Sequence, residues 1–109
     1  NIAEFNKIDK YLVFSGIGNH KTFISMIKNY GLHILKDIEF PDHYNYTSQD
    51  INQIIKQSEE MNCEIITTEK DYLRLENIKK NKIRFIKSNL QIIDENKLIN
   101  TILKKNEKN

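Results

Sequence analysis

Short apolar runs alternate with longer amphipathic stretches along this chain. Tyr11 to Ser15 (YLVFS) is a compact apolar run of the kind a strand buried on both faces shows. It leads into Gly16-Ile17-Gly18-Asn19. Beyond that turn Phe23, Ile24, Ile27 and Tyr30 recur at helical spacing, with Asn19 suited to the N-cap and Gly31 to the stop. Leu32 to Phe40 reads as a second strand with Ile34, Ile38 and Phe40 on one face. Lys36 interrupts that face and argues for a sheet edge. Pro41 ends the strand and opens a loop, Pro41 to Thr47, too polar and aromatic for a simple connector. A second helix is expected from Ser48 to Asn62, capped by the Thr47/Asp50 pair, with Ile51, Ile54, Ile55 and Ser58 inward. Cys63 to Thr67 reads as a third strand and Thr68 to Leu75 as a short helix with another Thr-x-x-Asp cap. Ile83 to Lys87 reads as a fourth strand. A last helix, Glu95 to Lys105, would put Leu98, Ile99, Ile102 and Leu103 on one face.

Strands that alternate with helices imply βαβ units with right-handed crossovers. The expected fold class is therefore α/β: a small three-layer α/β/α sandwich on a mostly parallel sheet of about four strands. Residues 11–105 form the domain, 1–10 a linker and 106–109 a frayed tail. In open α/β sheets ligands collect beyond the carboxyl ends of the strands. Three loops leave those ends: Gly16 to Asn19, Pro41 to Thr47, and Thr67 to Asp71.

Composition narrows the picture. The chain has 109 residues, 39% of them hydrophobic, enough for one modest core. Charges nearly cancel, 17 Lys and Arg against 15 Asp and Glu, so no one-sign field points to nucleic acid. Ile, Asn and Lys, all with A/T-rich codons, number 19, 14 and 15. Surface Lys and Asn therefore carry little weight, and the cluster Lys79, Lys80, Lys82, Arg84 and Lys87 makes only a weak case for nucleic acid or a membrane surface. The chain has three glycines and no Gly-Lys pair, which excludes a Walker phosphate loop. Cys63 is the one cysteine; it fits a reducing compartment and, opening an apolar strand, reads as an inert buried thiol. No apolar run approaches the ~20 residues of a membrane span. Nor does Asn1 to Lys10 have the apolar centre of a signal peptide. The chain opens on Asn rather than Met, as a fragment or processed product would.

The three loops carry the candidate chemistry. Gly16 and Gly18 let the backbone turn tightly at a helix N-terminus whose amides suit an anion; the plainer alternative is a tight strand-to-helix turn. Asp42-His43 sets a histidine beside a carboxylate, fit to relay a proton or orient a second acid, or else simply a capped, exposed loop. Tyr44 and Tyr46 read as packing residues that stiffen this loop. In the third loop Thr68 and Asp71 have a full explanation as caps. Glu69 and Lys70 do not, and Lys70 could hold a phosphate or pair with an acid across a cleft. His20 and His33 have no partners at metal-ligand spacing and are read as surface residues, and no metal site is expected.

Phe14-Ser15-Gly16-Ile17-Gly18-Asn19, Phe40-Pro41-Asp42-His43-Tyr44-x-Tyr46 and Thr67-Thr68-Glu69-Lys70-Asp71-x-x-x-Leu75, in this order, resemble the C-terminal part of the tetraacyldisaccharide 4'-kinase family. Ser15 stands where that pattern has alanine, His20 where it has proline, and Tyr44 where it has a second histidine. The resemblance implies transfer of the ATP γ-phosphoryl, with magnesium, to the 4'-hydroxyl of a lipid A disaccharide precursor. The setting it implies is the cytoplasmic face of the bacterial inner membrane. It implies His43 and Asp42 as catalytic residues, and Gly16, Gly18, Asn19, Thr68, Glu69, Lys70 and Asp71 as cofactor-binding ones. It also implies a partner N-terminal P-loop domain that holds most of the ATP and magnesium, supplies a catalytic aspartate, and is followed by residues 1–10. On that basis the chain is a portion of a kinase, inactive alone. The competing expectation is a stand-alone, non-catalytic α/β module that binds a nucleotide or a protein.

Overall fold

A computed structural model describes residues 2–75 and 80–86. Its strands are β1 (Lys10–Ser15), β2 (His33–Glu39), β3 (Glu64–Thr68) and β4 (Ile83–Ile86). Its helices are α1 (His20–Tyr30), α2 (Ser48–Glu60) and α3 (Glu69–Arg74), with single 3₁₀ turns at Ile2–Glu4 and Lys80–Lys82. All strand pairs are parallel and the order is β2-β1-β3-β4. The fold is the small α/β sandwich that the alternating pattern predicts. The expected helix at Glu95 to Lys105, the tail 106–109 and Lys87 lie outside the described residues.

The strand order reverses direction at β1: β2 lies on one side of it and β3 on the other. Right-handed crossovers then force α1 and α2 onto opposite faces. Phe23, Ile24 and Ile27 of α1 pack with Tyr11, Val13 and Ile66 in one core, which also takes in Phe5 from the stretch read as linker. Ile51, Ile54 and Ile55 of α2 pack with Leu12, Phe14 and Ile65 in the other. Alternate residues of β1 thus serve opposite faces, as its pleat requires. Each fully buried Ile or Leu contributes on the order of 2 kcal/mol.

Both longer helices end alike. Gly31 takes the left-handed conformation (φ 107°), and the N–H groups of Gly31 and Leu32 donate to the carbonyls of Lys28 and Ile27. At the end of α2, Asn62 does the same at φ 53°, with Asn62 and Cys63 donating to Glu59 and Ser58. The α2 start is the full capping box expected at Thr47 and Asp50. Asn19 holds the N-cap position of α1 without a side-chain cap bond.

Strand β2 differs from the expected pattern. It lies at the sheet edge, as Lys36 suggested. But Ile34 packs in the α1 core, whereas Ile38 and Phe40 pack in the α2 core. The cause is an irregularity in the ladder: Tyr11 pairs with Ile34, yet Leu12 pairs with Lys36, so Leu35 is the extra residue. A single extra residue swaps the faces of everything beyond it.

Candidate active-site edge

The point of reversal lies between β1 and β3, and the loops leaving β1, β2 and β3 meet there. One side chain fastens all three. Asp71 is fully buried at 0% exposure. Its Oδ1 accepts from the Gly16 N–H at 3.0 Å and from the Tyr46 hydroxyl at 2.9 Å. Its Oδ2 accepts from the Thr68 hydroxyl at 2.6 Å, and the Thr68 oxygen in turn accepts the Asp71 N–H at 3.0 Å. A buried carboxylate is tolerable only when donors surround it, and here the three loops provide one each. Burial above all, then the charge and hydrogen bond of Asp71, push the Tyr46 phenol far above its ordinary range, while Arg74 opposes. Tyr46 therefore remains a donor to Asp71 throughout the physiological range.

Gly16 is where the loops crowd closest. A Cβ there would lie 3.0 Å from the Pro41 carbonyl oxygen, 3.1 Å from Tyr46 Oη and 3.3 Å from Asp71 Oδ1. The second loop is stiffened as the sequence suggests. Phe40 and Tyr44 stack at 4.8 Å, Tyr46 meets Phe14 edge-on at 5.4 Å, and the Tyr44 hydroxyl donates to Asp50 Oδ2 at 2.8 Å.

His43 stands on this frame. It adopts a left-handed backbone, φ 61°, that few residues with a Cβ accept. Its N–H donates to the Gly16 carbonyl at 3.0 Å. Its side chain is 76% exposed, with Nε2 3.8 Å from Asp42 Oδ1. The other Asp42 oxygen lies 3.5 Å from where a Cβ of Gly18 would be, so this carboxylate sits beside the turn that leads into α1. His43, Asp42 and the Gly16 to Asn19 turn therefore share one end of the sheet. Glu69, half-buried, and Lys70, exposed, begin α3 at that same end. Thr68 and Asp71, from the cofactor-binding set, are buried and turn their polar atoms inward; Gly18 and Asn19 are exposed.

His20 departs from the surface position expected of it. It is 2% exposed. Ser15 Oγ lies 2.5 Å from its Nδ1, and its Nε2 lies 2.7 Å from Asp37 Oδ2. This chain of bonds ties the two ends of the Gly16 to Asn19 turn together and anchors them to β2. Ser15 is itself fully buried, so the trio is a clamp rather than an accessible nucleophile. Hydropathy hides it, because each member reads as polar. The signal was positional: Ser15 and His20 bracket the turn.

Arg74 is the other residue the sequence did not single out. Its Nη2 lies 2.7 Å from His43 Nδ1, and its Nη1 lies 3.5 Å from the Gly16 oxygen and 3.9 Å from Asp71 Oδ1. A basic residue three positions after a capping Asp shares its helix face. Among the described residues no three His, Cys, Asp or Glu side chains gather as a metal site.

The comparisons agree on one family. A family profile described as "Tetraacyldisaccharide-1-P 4'-kinase" matches residues 2–107. The chain is 58% identical over 109 residues to a tetraacyldisaccharide 4'-kinase of Pelagibacter ubique (strain HTCC1062), covering all of this chain and 35% of that relative. It is 43% identical over 83 residues to the Rickettsia akari (strain Hartford) protein of the same name, covering 73% of this chain and 26% of that one. With the Rickettsia canadensis (strain McKiel) protein it shares 42% over 108 residues, 95% of this chain and 33% of that one. The chain thus spans about a third of the length of these curated relatives. No solved structure matches it.

Proposed function

The chain belongs to the tetraacyldisaccharide-1-P 4'-kinase family, and from that premise we propose that it is the C-terminal lobe of such a kinase. The full-length protein would transfer the γ-phosphoryl of ATP to the 4'-hydroxyl of a tetraacyldisaccharide 1-phosphate in lipid A synthesis, at the cytoplasmic face of the inner membrane. An N-terminal P-loop domain would hold ATP and magnesium and supply the carboxylate base, and this lobe would close on it. Alone, the lobe would be inactive.

The observation that carries this is the exposed His43, set on the Gly16 carbonyl at the edge where three loops meet. Phosphoryl transfer is mostly positioning and charge stabilisation, which a rigid edge provides. His43 would orient the base carboxylate through a ring N–H, with Asp42 beside it. Gly18, Asn19, Glu69 and Lys70 would face the nucleotide, and Gly16, Thr68 and Asp71 would hold the loops that present them. A histidine is kept in a left-handed backbone at a cost of roughly 1–2 kcal/mol, as strained residues at functional sites are.

His43→Ala in the full-length protein is expected to lower kcat by about a hundredfold or more without loss of fold. His43→Gly should lower kcat equally while raising stability by up to about 1 kcal/mol in urea unfolding, since glycine accepts this φ. Unchanged turnover in either variant would remove His43 from the mechanism.

A further inference from the structure

Arg74 Nη2 lies 2.7 Å from His43 Nδ1. A guanidinium has donors and no acceptor, so the ring nitrogen in this pair must accept. A neutral imidazole that accepts at Nδ1 carries its hydrogen on Nε2. Arg74 is well placed to enforce this. Its side chain is only 26% exposed, held against the buried Asp71 and the Gly16 carbonyl that also receives the His43 N–H. Backbone and ring of His43 are thus both referred to the end of β1. On its free side, Nε2 has Asp42 Oδ1 at 3.8 Å and otherwise faces outward.

We propose that Arg74 is a positioning residue that locks His43 in the Nε2–H tautomer, so that the ring presents an N–H donor, and not a lone pair, to the cleft. A donor there selects an oxygen acceptor, such as a carboxylate or a phosphoryl oxygen. It excludes His43 in this arrangement from drawing a proton off a hydroxyl. The catalytic consequence rests on His43 facing the reacting groups, as proposed above; the tautomer does not.

The experiment uses full-length protein with ¹⁵N-labelled histidine, the His43 ring signals being assigned by their loss in His43→Ala. Ring ¹⁵N shifts distinguish protonated from bare nitrogens. The parent should show one tautomer with a hydrogen-bonded Nδ1. Arg74→Met should move the ring toward the mixture of a free imidazole and lower kcat about tenfold with KM little changed. Arg74→Lys retains a donor of similar reach and should restore the tautomer and most of the turnover. If Arg74→Met does not fold, Arg74→Leu, which likewise has no donor, takes its place. An unchanged ring in the apolar variant, or a lysine variant as impaired as the methionine one, overturns the inference. A ring released in Arg74→Met with full turnover leaves the lock standing and counts instead against a catalytic His43, which His43→Ala decides separately.

Discussion

A methyl group on Gly16 would sit 3.0 Å from a backbone carbonyl and within 3.3 Å of both partners of the Tyr46–Asp71 hydrogen bond. Gly18, two residues on, has only Asp42 Oδ2 near, at an ordinary 3.5 Å. The glycine scarcity that rules out a phosphate loop thus conceals two different roles. Gly16 is needed for close approach, whereas Gly18 leaves the turn open toward solvent. Gly16→Ala should cost about 1–3 kcal/mol in urea unfolding, because the carbonyl cannot yield without moving the second loop. Gly18→Ala should fold with nearly parental stability. Equal costs at the two positions would contradict the crowding at Gly16.

Helix α2 was the most legible element. Its apolar period, its capping pair and its inward residues all appear as the sequence suggests, because each is set within one or two turns of chain. The Asp50 carboxyl is held below its ordinary range chiefly by the Thr47 N–H, aided by the Tyr44 and Thr47 hydroxyls and opposed by its slight burial. A carboxyl depressed by folding adds stability above its unfolded value, and that stability is lost as pH falls through the folded value. Asp50→Ala should therefore destabilise by about 1 kcal/mol at neutral pH. The gap from the parent should close as pH falls below about 4 in denaturant titrations. A gap that persists at low pH would assign Asp50 a role other than capping. Strand β2 was the least legible element, since one extra residue at Leu35 has no local sequence signature yet exchanges the faces of Lys36 onward.

Across the whole molecule, Asp71 makes the site one body. Asp71→Asn replaces an acceptor oxygen with donors and leaves at least one of Gly16, Tyr46 and Thr68 unpaired in a buried place. The expected loss is about 3 kcal/mol. Hydrogen exchange should accelerate together in residues 16–19, 42–46 and 68–71. Acceleration confined to 68–71 would reduce Asp71 to a cap of α3. The same scale separates what was legible from what was not. The sequence by itself determined the α/β alternation, the limits of α1, α2 and α3 to within two residues, the meeting of three loops at one end of the sheet and the family resemblance, because hydrophobic period and capping act between near neighbours. Only the tertiary structure decided that His20 is buried between Ser15 and Asp37, that Asp71 points inward to join the loops, and that Arg74 reaches His43. Those contacts bridge 17, 55 and 31 residues of chain. A polar side chain carries no mark of which distant partner will satisfy it, and the crossovers that bring β1, β2 and β3 side by side choose that partner.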